Sequence, residues 1–243
     1  RGTPGGPGGV ERLVEPAVRI AGVVSGGWEV SVVKIVIAEE FQNVLRLAWV
    51  LAEGATVRPR EAALSTEIDA LVARVTREYA GAEPAKVPGI ARARRLFHAI
   101  GLDPTRYRPS SEALFRRISK GQGLYAINNV VDALNLHSLE TLFPMGLYDA
   151  DQVDGDAVAR KGRAGETYEG IGRGPQNLEG KPVLADSKGP FGSPISDSTR
   201  SMVRDSTRRV LWVIFAPIGT GDTELEQGRR RAEDLLSRHC SAR

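Results

Sequence analysis

The sequence predicts an α+β fold in which helices come early, strands follow, and one helix ends the chain. Three observations support this prediction. Apolar residues recur at helical spacing between 60 and 120, Gly and Pro separate short apolar segments from about residue 122, and a helical pattern returns after residue 220. A doubly wound α/β fold would instead alternate strands and helices along the chain.

The first half begins with a predicted strand and continues with three predicted helices. The segment "WEVSVVKIVIA" (28–38) is rich in β-branched residues, which favours a buried strand, and a polar turn follows it. One face of a helix is predicted over 60–80 by the apolar residues Leu64, Ile68, Leu71, Val72, Val75 and Tyr79. After a linker, a second helix is predicted over 90–100 and ends at Gly101, and a third runs from near Pro109 to Gly121.

The second half is predicted to be mostly β-structure. The segment "YAINNVVDALNLHS" fits either a short helix or a strand-like stretch. Short apolar segments separated by turn residues then predict strands, at 139–148, 157–161, 166–171, 181–185 and 209–216. Thr223 and Glu226 fit a capping box at the start of the last helix.

Composition predicts a protein of the cytoplasm with a mildly basic surface. The 243 residues include one cysteine and carry a formal charge of +3, and no apolar run is long enough to cross a membrane. Arg supplies 27 of the 33 basic residues, which suits an RNA partner and equally fits GC-rich coding. Residues 1–9 are predicted to be a disordered tail, and residues 10–243 a single domain.

Several familiar motifs are incomplete, and they exclude the corresponding chemistry. No G-x-S-x-G elbow exists for a serine hydrolase. "DADQVDGD" (149–156) lacks the Gly and Glu positions of an EF-hand, and "GIGRGP" (170–175) lacks the glycine spacing of a dinucleotide site. The three His residues lie far apart in the sequence. We therefore predict neither a metal nor another cofactor.

The segment "ADSKGPFGSPISDSTRSMV" (185–203) is unusually rich in hydroxyl side chains for a connecting loop. Six Ser and Thr residues stand there beside two Asp, one Lys and one Arg. Such groups bind the carboxylate, ester or hydroxyl groups of a small ligand. They also satisfy their own backbone in Asx and ST turns. Composition alone does not distinguish a ligand-binding loop from a structural loop.

Four short motifs together resemble one known family. The first is N-x-x-V-D-x-x-N, formed by Asn128, Val131, Asp132 and Asn135; the others are "PMGLYD", the Gly-Glu of "RAGETY", and "VLAD". In this order they are similar to the B-three/B-four editing domain of the phenylalanyl-tRNA synthetase β subunit. The resemblance is clearest over residues 88–218. No other synthetase part is recognisable, so the sequence resembles a freestanding member of this family.

This resemblance implies an α+β domain with a pocket that hydrolyses the ester of mischarged tRNA. Asn135 falls at a pocket Asn of the family, whereas Gly146 stands where the synthetase has a pocket His. Thr199, with Asp197 close by, replaces the Glu that recognises the tyrosine hydroxyl. Specificity for tyrosine therefore does not carry over. A small or polar amino acid is the better expectation for the substrate.

The resemblance also suggests a role for each candidate residue. The predicted catalytic residues are Asn135, His137 and Asp197, which are alternative candidates for holding the attacking water. The predicted substrate-binding residues are Gly146, Glu166, Ser196, Ser198, Thr199 and Arg200. The predicted RNA-binding residues are Arg160 and Arg163.

Three functions stay open at this point. The first is hydrolysis in trans of the ester of a mischarged aminoacyl-tRNA, with the aminoacylated 3′ end as the partner and with neither DNA nor a membrane involved. The second is a catalytically silent module of the same fold that binds RNA or an amino acid. The third is an unrelated small-molecule enzyme that uses the same pocket.

Overall fold

The computed structural model describes residues 33–243, in which there are six α-helices and nine β-strands. The predicted tail and the first part of the predicted strand 28–38 lie outside these residues. The helices are α1 (Glu39–Gln42), α2 (Ala62–Glu78), α3 (Pro88–Ala99), α4 (Ser110–Ser119), α5 (Asn129–Thr141) and α6 (Asp222–Cys240). The strands are β1 (Ile35–Ile37), β2 (Leu45–Ala52), β3 (Met145–Asp149), β4 (Ala157–Lys161), β5 (Thr167–Gly170), β6 (Gly174–Asn177), β7 (Pro182–Asp186), β8 (Gly189–Gly192) and β9 (Val210–Pro217).

The strands form two larger sheets and one hairpin. A three-stranded antiparallel sheet has the order β2–β9–β3, with Ala52 and Asp149 both opposite Val210 at one end. A four-stranded sheet has the order β1–β4–β7–β8, and only its β1–β4 pair is parallel. Strands β5 and β6 pair with each other as a separate hairpin. The predicted α+β class is confirmed.

The three-stranded sheet lies between two apolar cores. Residues of α2, α4, α5 and α6 pack with Met145, Leu147 and Trp212 on one face. On the other face, Tyr148 and Val213 pack with residues of the four-stranded sheet and of α3. This arrangement follows from the alternation of side chains along a strand, because neighbouring residues of β3 and β9 point into different cores. Every residue of β9 before Pro217 is buried.

The helix predictions from apolar spacing are confirmed, and several strand predictions are not. Helices α2, α3 and α4 occupy the predicted ranges, and Gly101 has the positive φ of +84° expected after a helix end. The predicted strand 139–148 begins too early, because α5 continues to Thr141. The capping box is absent, because Gly221 is the N-cap of α6 and lies two residues before the predicted N-cap Thr223. Strands β2, β6 and β8 were not predicted.

Among residues 33–243, none of the helices is both long enough and apolar enough to cross a membrane.

A network of ion pairs holds α2 against α6. The Glu67 carboxylate of α2 accepts hydrogen bonds from Arg231 and Arg238 of α6, and it lies 3.1 Å from His239 Nε2. The hydrogen bond from Arg238 is the main cause that lowers the pKa of Glu67 to about 2. Because this value is below the usual 4.5, the stabilisation is complete above pH 4.5 and is lost as the pH falls toward 2.

We therefore expect Glu67→Gln to lower the free energy of unfolding by about 1 kcal/mol at pH 7. The difference from the wild type should disappear as the pH falls from 4.5 toward 2. Urea unfolding at several pH values measures both effects. Asp69→Asn, an exposed charge on the same helix, is the control and should change little. An equal loss at pH 7 in both variants would contradict this role of Glu67.

Candidate functional site

The candidate site centres on Asp197, in the loop between β8 and β9. The residue as a whole is half-buried, and its Oδ1 atom accepts a hydrogen bond from the Ser193 backbone N–H at 3.4 Å. The Asp197 carbonyl accepts a hydrogen bond from the backbone N–H of Ile171, at 3.0 Å, in the turn between β5 and β6. A backbone hydrogen bond therefore links the Asp197 loop to the β5–β6 hairpin. Ile171, the donor residue, has an exposed side chain.

Two tyrosines flank Asp197. Tyr148 is fully buried, and its hydroxyl lies close enough to Asp197 for each group to affect the pKa of the other, although it forms no hydrogen bond of good geometry with a described residue. The Tyr168 hydroxyl lies 3.1 Å from Ser193 Oγ and donates to the Ser196 carbonyl. Asp197 thus lies beside phenol groups rather than beside a cation.

This environment raises the pKa of Asp197 to about 7. Burial is the main cause, because it disfavours the charged carboxylate. The Tyr148 hydroxyl and the backbone N–H groups of Ser193 and Leu147 act in the opposite direction. Burial also raises the pKa of both tyrosines, so the phenols stay protonated at neutral pH. A carboxyl group with a pKa near 7 can accept and return a proton under physiological conditions.

Gly146 and Gly192 allow Tyr148 to occupy this position. A Cβ atom on Gly146 would lie 2.1 Å from the Tyr148 hydroxyl oxygen, and one on Gly192 would lie 2.3 Å from Tyr148 Cε1. The Tyr148 ring therefore fills the space into which a larger side chain at position 146 would project. This gives a physical reason for glycine where the resemblance implies a pocket His.

The hydroxyl groups of the loop divide into two sets. Ser193 Oγ accepts from the backbone N–H groups of Ile195 and Ser196, and Ser198 Oγ accepts from that of Arg200. These hydroxyls stabilise their own turns. The Ser196 and Thr199 hydroxyls bond to no described residue, and ligand binding by Ser196, Ser198 or Thr199 stays a prediction.

Three predicted binding residues are engaged in ion pairs within the protein. Arg200 donates two hydrogen bonds to the buried Asp186 carboxylate, at 2.9 and 3.0 Å. Arg160 forms a similar pair with Glu166, with two distances of 2.7 Å. Both pairs hold neighbouring loops in place. Ligand binding by Arg160, Glu166 or Arg200 stays a prediction, as does RNA binding by the exposed Arg163.

The structure does not bring His137 to Asp197. His137 lies on α5, where it is fully buried, and its ring centroid is 5.6 Å from that of Trp212 in the core beneath the helices. Burial lowers its pKa to about 3, and neither ring nitrogen has a hydrogen-bond partner among the described residues. His137 therefore lies against the first core, whereas Asp197 lies beside Tyr148 of the second core, on the other face of the three-stranded sheet. A catalytic role for His137 stays a prediction.

Asn135 also lies on α5, half-buried, and its side chain bonds to no described residue. The other polar residues of its motif support local structure. Asn128 accepts from the Val131 backbone N–H at 2.9 Å and so caps α5, and the buried Asp132 accepts from the Ile127 N–H at 3.0 Å. A pocket role for Asn135 stays a prediction.

Sequence reasoning missed Tyr148, Tyr168 and Ser193. Tyr148 belongs to the "PMGLYD" motif and stands two residues after Gly146, on the same side of β3. That spacing was the available signal for Tyr148. Tyr168 comes from the β5–β6 hairpin, and nothing in the sequence places this hairpin beside the loop that carries Ser193.

One cleft lies apart from Asp197. This cleft of about 240 Å³ opens between α2, α4 and α5, and its lining includes none of the predicted site residues. In the described part of the chain, no group of three or more His, Cys, Asp or Glu side chains is placed to hold a metal ion.

Comparison with known families identifies the class of protein. A family model described as "B3/4 domain" matches residues 92–240, which is more than half of the chain. The chain therefore belongs to the B3/4 domain family.

Its relatives include β subunits of phenylalanine–tRNA ligase. The chain is 39% identical over 119 residues to the subunit of Paramagnetospirillum magneticum, and 34% identical over 91 residues to that of Bartonella quintana. These alignments cover 47% and 37% of the chain. They span only 14% and 11% of the relatives' own lengths.

A solved structure is also similar, although distantly. It is an N-terminal fragment of the phenylalanyl-tRNA synthetase β subunit from Pyrococcus horikoshii, with 14% identity and a TM-score of 0.48. The match covers 91% of this chain and 53% of that one.

The packing of Tyr148 predicts that any side chain larger than hydrogen at position 146 lowers the free energy of unfolding. We expect Gly146→Ala to destabilise the fold by about 1–3 kcal/mol, because the new methyl group would overlap the Tyr148 hydroxyl. Tyr148→Phe should recover part of this loss by removing the oxygen atom. Gly123→Ala is the control, since a Cβ at Gly123 would meet no atom within 4 Å. Urea unfolding of the single and double variants measures the coupling, and additive effects would contradict this packing.

Proposed function

We propose that this protein hydrolyses, in trans, the ester bond of a mischarged aminoacyl-tRNA, with Asp197 as the general base. Membership in the B3/4 domain family and similarity to phenylalanine–tRNA ligase β subunits support a tRNA-related function. The observation that carries the chemistry is the Asp197 carboxyl group, which accepts from the Ser193 backbone N–H beside Tyr148 and whose pKa burial raises to about 7. The Ser196 and Thr199 hydroxyls, which bond to no described residue, lie on the same loop.

The proposed reaction needs one proton acceptor and donors for the oxyanion. The Asp197 carboxylate takes a proton from a water molecule, and the water oxygen bonds to the ester carbonyl carbon. The Ser196 and Thr199 hydroxyls donate hydrogen bonds to the carbonyl oxygen as it becomes negative. When the carbon–oxygen bond to the ribose breaks, Asp197 returns its proton to the ribose oxygen. The products are a free amino acid and uncharged tRNA.

The surroundings of Asp197 favour a small or polar amino acid. The Tyr148 ring fills the space beside Gly146, and the groups left for a ligand are a carboxyl and two hydroxyls. Neither the His nor the Glu of the tyrosine site is present at the matching positions 146 and 199. We expect a substrate side chain that accepts or donates hydrogen bonds rather than a large aromatic ring.

A second candidate function is binding of aminoacyl-tRNA or of an amino acid without turnover. The observation that favours it is the separation of His137 from Asp197, together with the ion pairs of Arg160, Glu166 and Arg200. These features leave few of the predicted residues in place to act together on an ester, which favours binding without turnover. Turnover distinguishes the two functions, because a binding module sequesters its ligand and releases no amino acid.

Asp197→Asn should lower the deacylation rate about 10²- to 10⁴-fold, because an amide cannot accept the proton of water. The measurement is amino-acid release from a panel of correctly charged and mischarged tRNAs. The wild-type rate should rise with pH and level off above pH 7, since only the ionised carboxyl acts as a base. Asp205→Asn, an exposed Asp whose side chain bonds to no described residue, is the matched control and should keep the wild-type rate. Intact tRNA binding without release by the wild type would support the binding module instead.

His137→Leu should retain both the deacylation rate and its pH profile. His137 is buried and neutral in the helix core, where leucine has a similar volume and loses no hydrogen bond to a described residue. The same tRNA panel measures the rate, and urea unfolding verifies the fold. A stable His137→Leu variant that has lost activity would contradict the assignment of Asp197 as the sole proton acceptor.

A further inference from the structure

The segment between α4 and α5 exposes two large apolar side chains. Tyr125 is 51% exposed and Ile127 is 60% exposed. In the described part of the chain, the other large apolar side chains of comparable exposure, Ile171 and Ile218, lie outside this segment. Exposed apolar side chains that stand singly need no partner, so the functional argument for this segment depends on the charges around the Tyr125 ring.

The Arg117 side chain lies on the Tyr125 ring and has no carboxylate partner in the described part of the chain. The Arg117 guanidinium carbon is 3.9 Å from the ring centroid, and its Nε–H donates to the Gly123 carbonyl at 2.6 Å. Among residues 33–243, no acidic side chain forms an ion pair with Arg117 or with the nearby Lys120, whereas the adjacent Arg116 pairs with Glu112. Residues 117–127 contain no Asp or Glu. This surface therefore carries uncompensated positive charge.

The segment is held in place before any partner binds. The Arg60 side chain donates to the Tyr125 carbonyl at 3.3 Å, and the Ile127 N–H donates to the buried Asp132 carboxylate at 3.0 Å. Asn128 then caps α5. These contacts fix the backbone on both sides of the Tyr125 ring, so little conformational entropy is lost on binding.

The segment and the Asp197 loop reach the same end of the three-stranded sheet. Asn129, just after the segment, bonds to the backbone of Thr56 and Arg58, which follow β2. Thr207, at the end of the Asp197 loop, bonds to Asp149 at 2.7 Å. Ala52 and Asp149 mark that end of the sheet, since both pair with Val210.

From these observations we propose that Tyr125 and Arg117 form a stacking platform for unpaired nucleotides of single-stranded RNA. A base would stack on the exposed part of the Tyr125 ring, and Arg117 and Lys120 would attract the neighbouring phosphates. RNA is preferred to a protein partner because the surface combines an aromatic ring with cations that have no acidic neighbours in residues 117–127. The inference rests on the proposed function, because that function makes RNA the expected partner. It concerns RNA binding only and does not require hydrolysis.

The test measures binding of the full chain to a single-stranded RNA oligonucleotide by fluorescence anisotropy. Tyr125→Ala should weaken binding roughly 5- to 150-fold, and Tyr125→Phe should bind as the wild type does. Ile218→Ala, which removes an exposed aliphatic side chain elsewhere, is the matched control and should change nothing. Thermal unfolding verifies that each variant is folded.

The salt dependence tests the charged part of the platform. Arg117→Met should reduce the slope of log affinity against log salt concentration by about 0.7, the value for one phosphate contact on a single strand. Arg230→Met, a change on the exposed side of α6, should leave the slope unchanged.

The outcomes separate this inference from the proposed hydrolysis. Weaker RNA binding by Tyr125→Ala would support the platform even if no tRNA is deacylated. Equal RNA affinity of Tyr125→Ala and wild type would overturn it, even if Asp197→Asn abolishes deacylation. A change in self-association without a change in RNA affinity would also overturn it, because the surface would then bind a second copy of the chain.

Discussion

Burial of β9 on both faces is the constraint on which the rest of the structure depends. Its side chains alternate between the helix core, which holds Trp212, and the second core, which holds Val213 and Tyr148. Because strands β2 and β3 pair with its two edges, the sheet divides the molecule into two interiors. Residues that are close in sequence but point into different interiors cannot act on the same ligand atom.

The separation of the two cores by the three-stranded sheet determines which polar side chains lie close to one another. The cluster of Asp197, Tyr148 and Tyr168 forms beside the second core, where burial without a cation raises the pKa of the carboxyl. His137, on α5, is confined to the first core, where burial lowers its pKa. Both shifts have the same cause, since a low dielectric environment disfavours the charged form of either group. Of Asp197 and His137, only Asp197 belongs to a residue that is partly exposed, which is why we propose it as the group that acts on a substrate.

The sequence predicted the helices well because their signal is local. The apolar spacing within α2, α3 and α4 depends on one face of each helix, which the sequence displays directly. Strand β8 has the sequence "GPFG", which has low strand propensity, and it forms because β7 lies beside it.

The candidate site was only partly predictable from the sequence, because tertiary packing brings its residues together. Asp197 was identified from the loop composition and the family resemblance, whereas Tyr148 and Tyr168 reach it from strands β3 and β5 through tertiary packing. Spacing in the sequence cannot show that Tyr148 fills the space beside both Gly146 and Gly192. The sequence also could not show that His137 and Asp197 face different cores, because apolar spacing does not reveal which core a helical side chain enters.

The central claim is that Asp197 titrates near neutral pH. The most direct measurement follows the carboxyl ¹³C chemical shifts of Asp residues by NMR between pH 3 and 9, with Asp197→Asn to assign the signal. We expect one Asp carboxyl signal of the wild type to show an inflection near pH 7, and we expect this signal to be absent from the Asp197→Asn variant. An inflection near pH 4, the ordinary value for an exposed Asp, would contradict it.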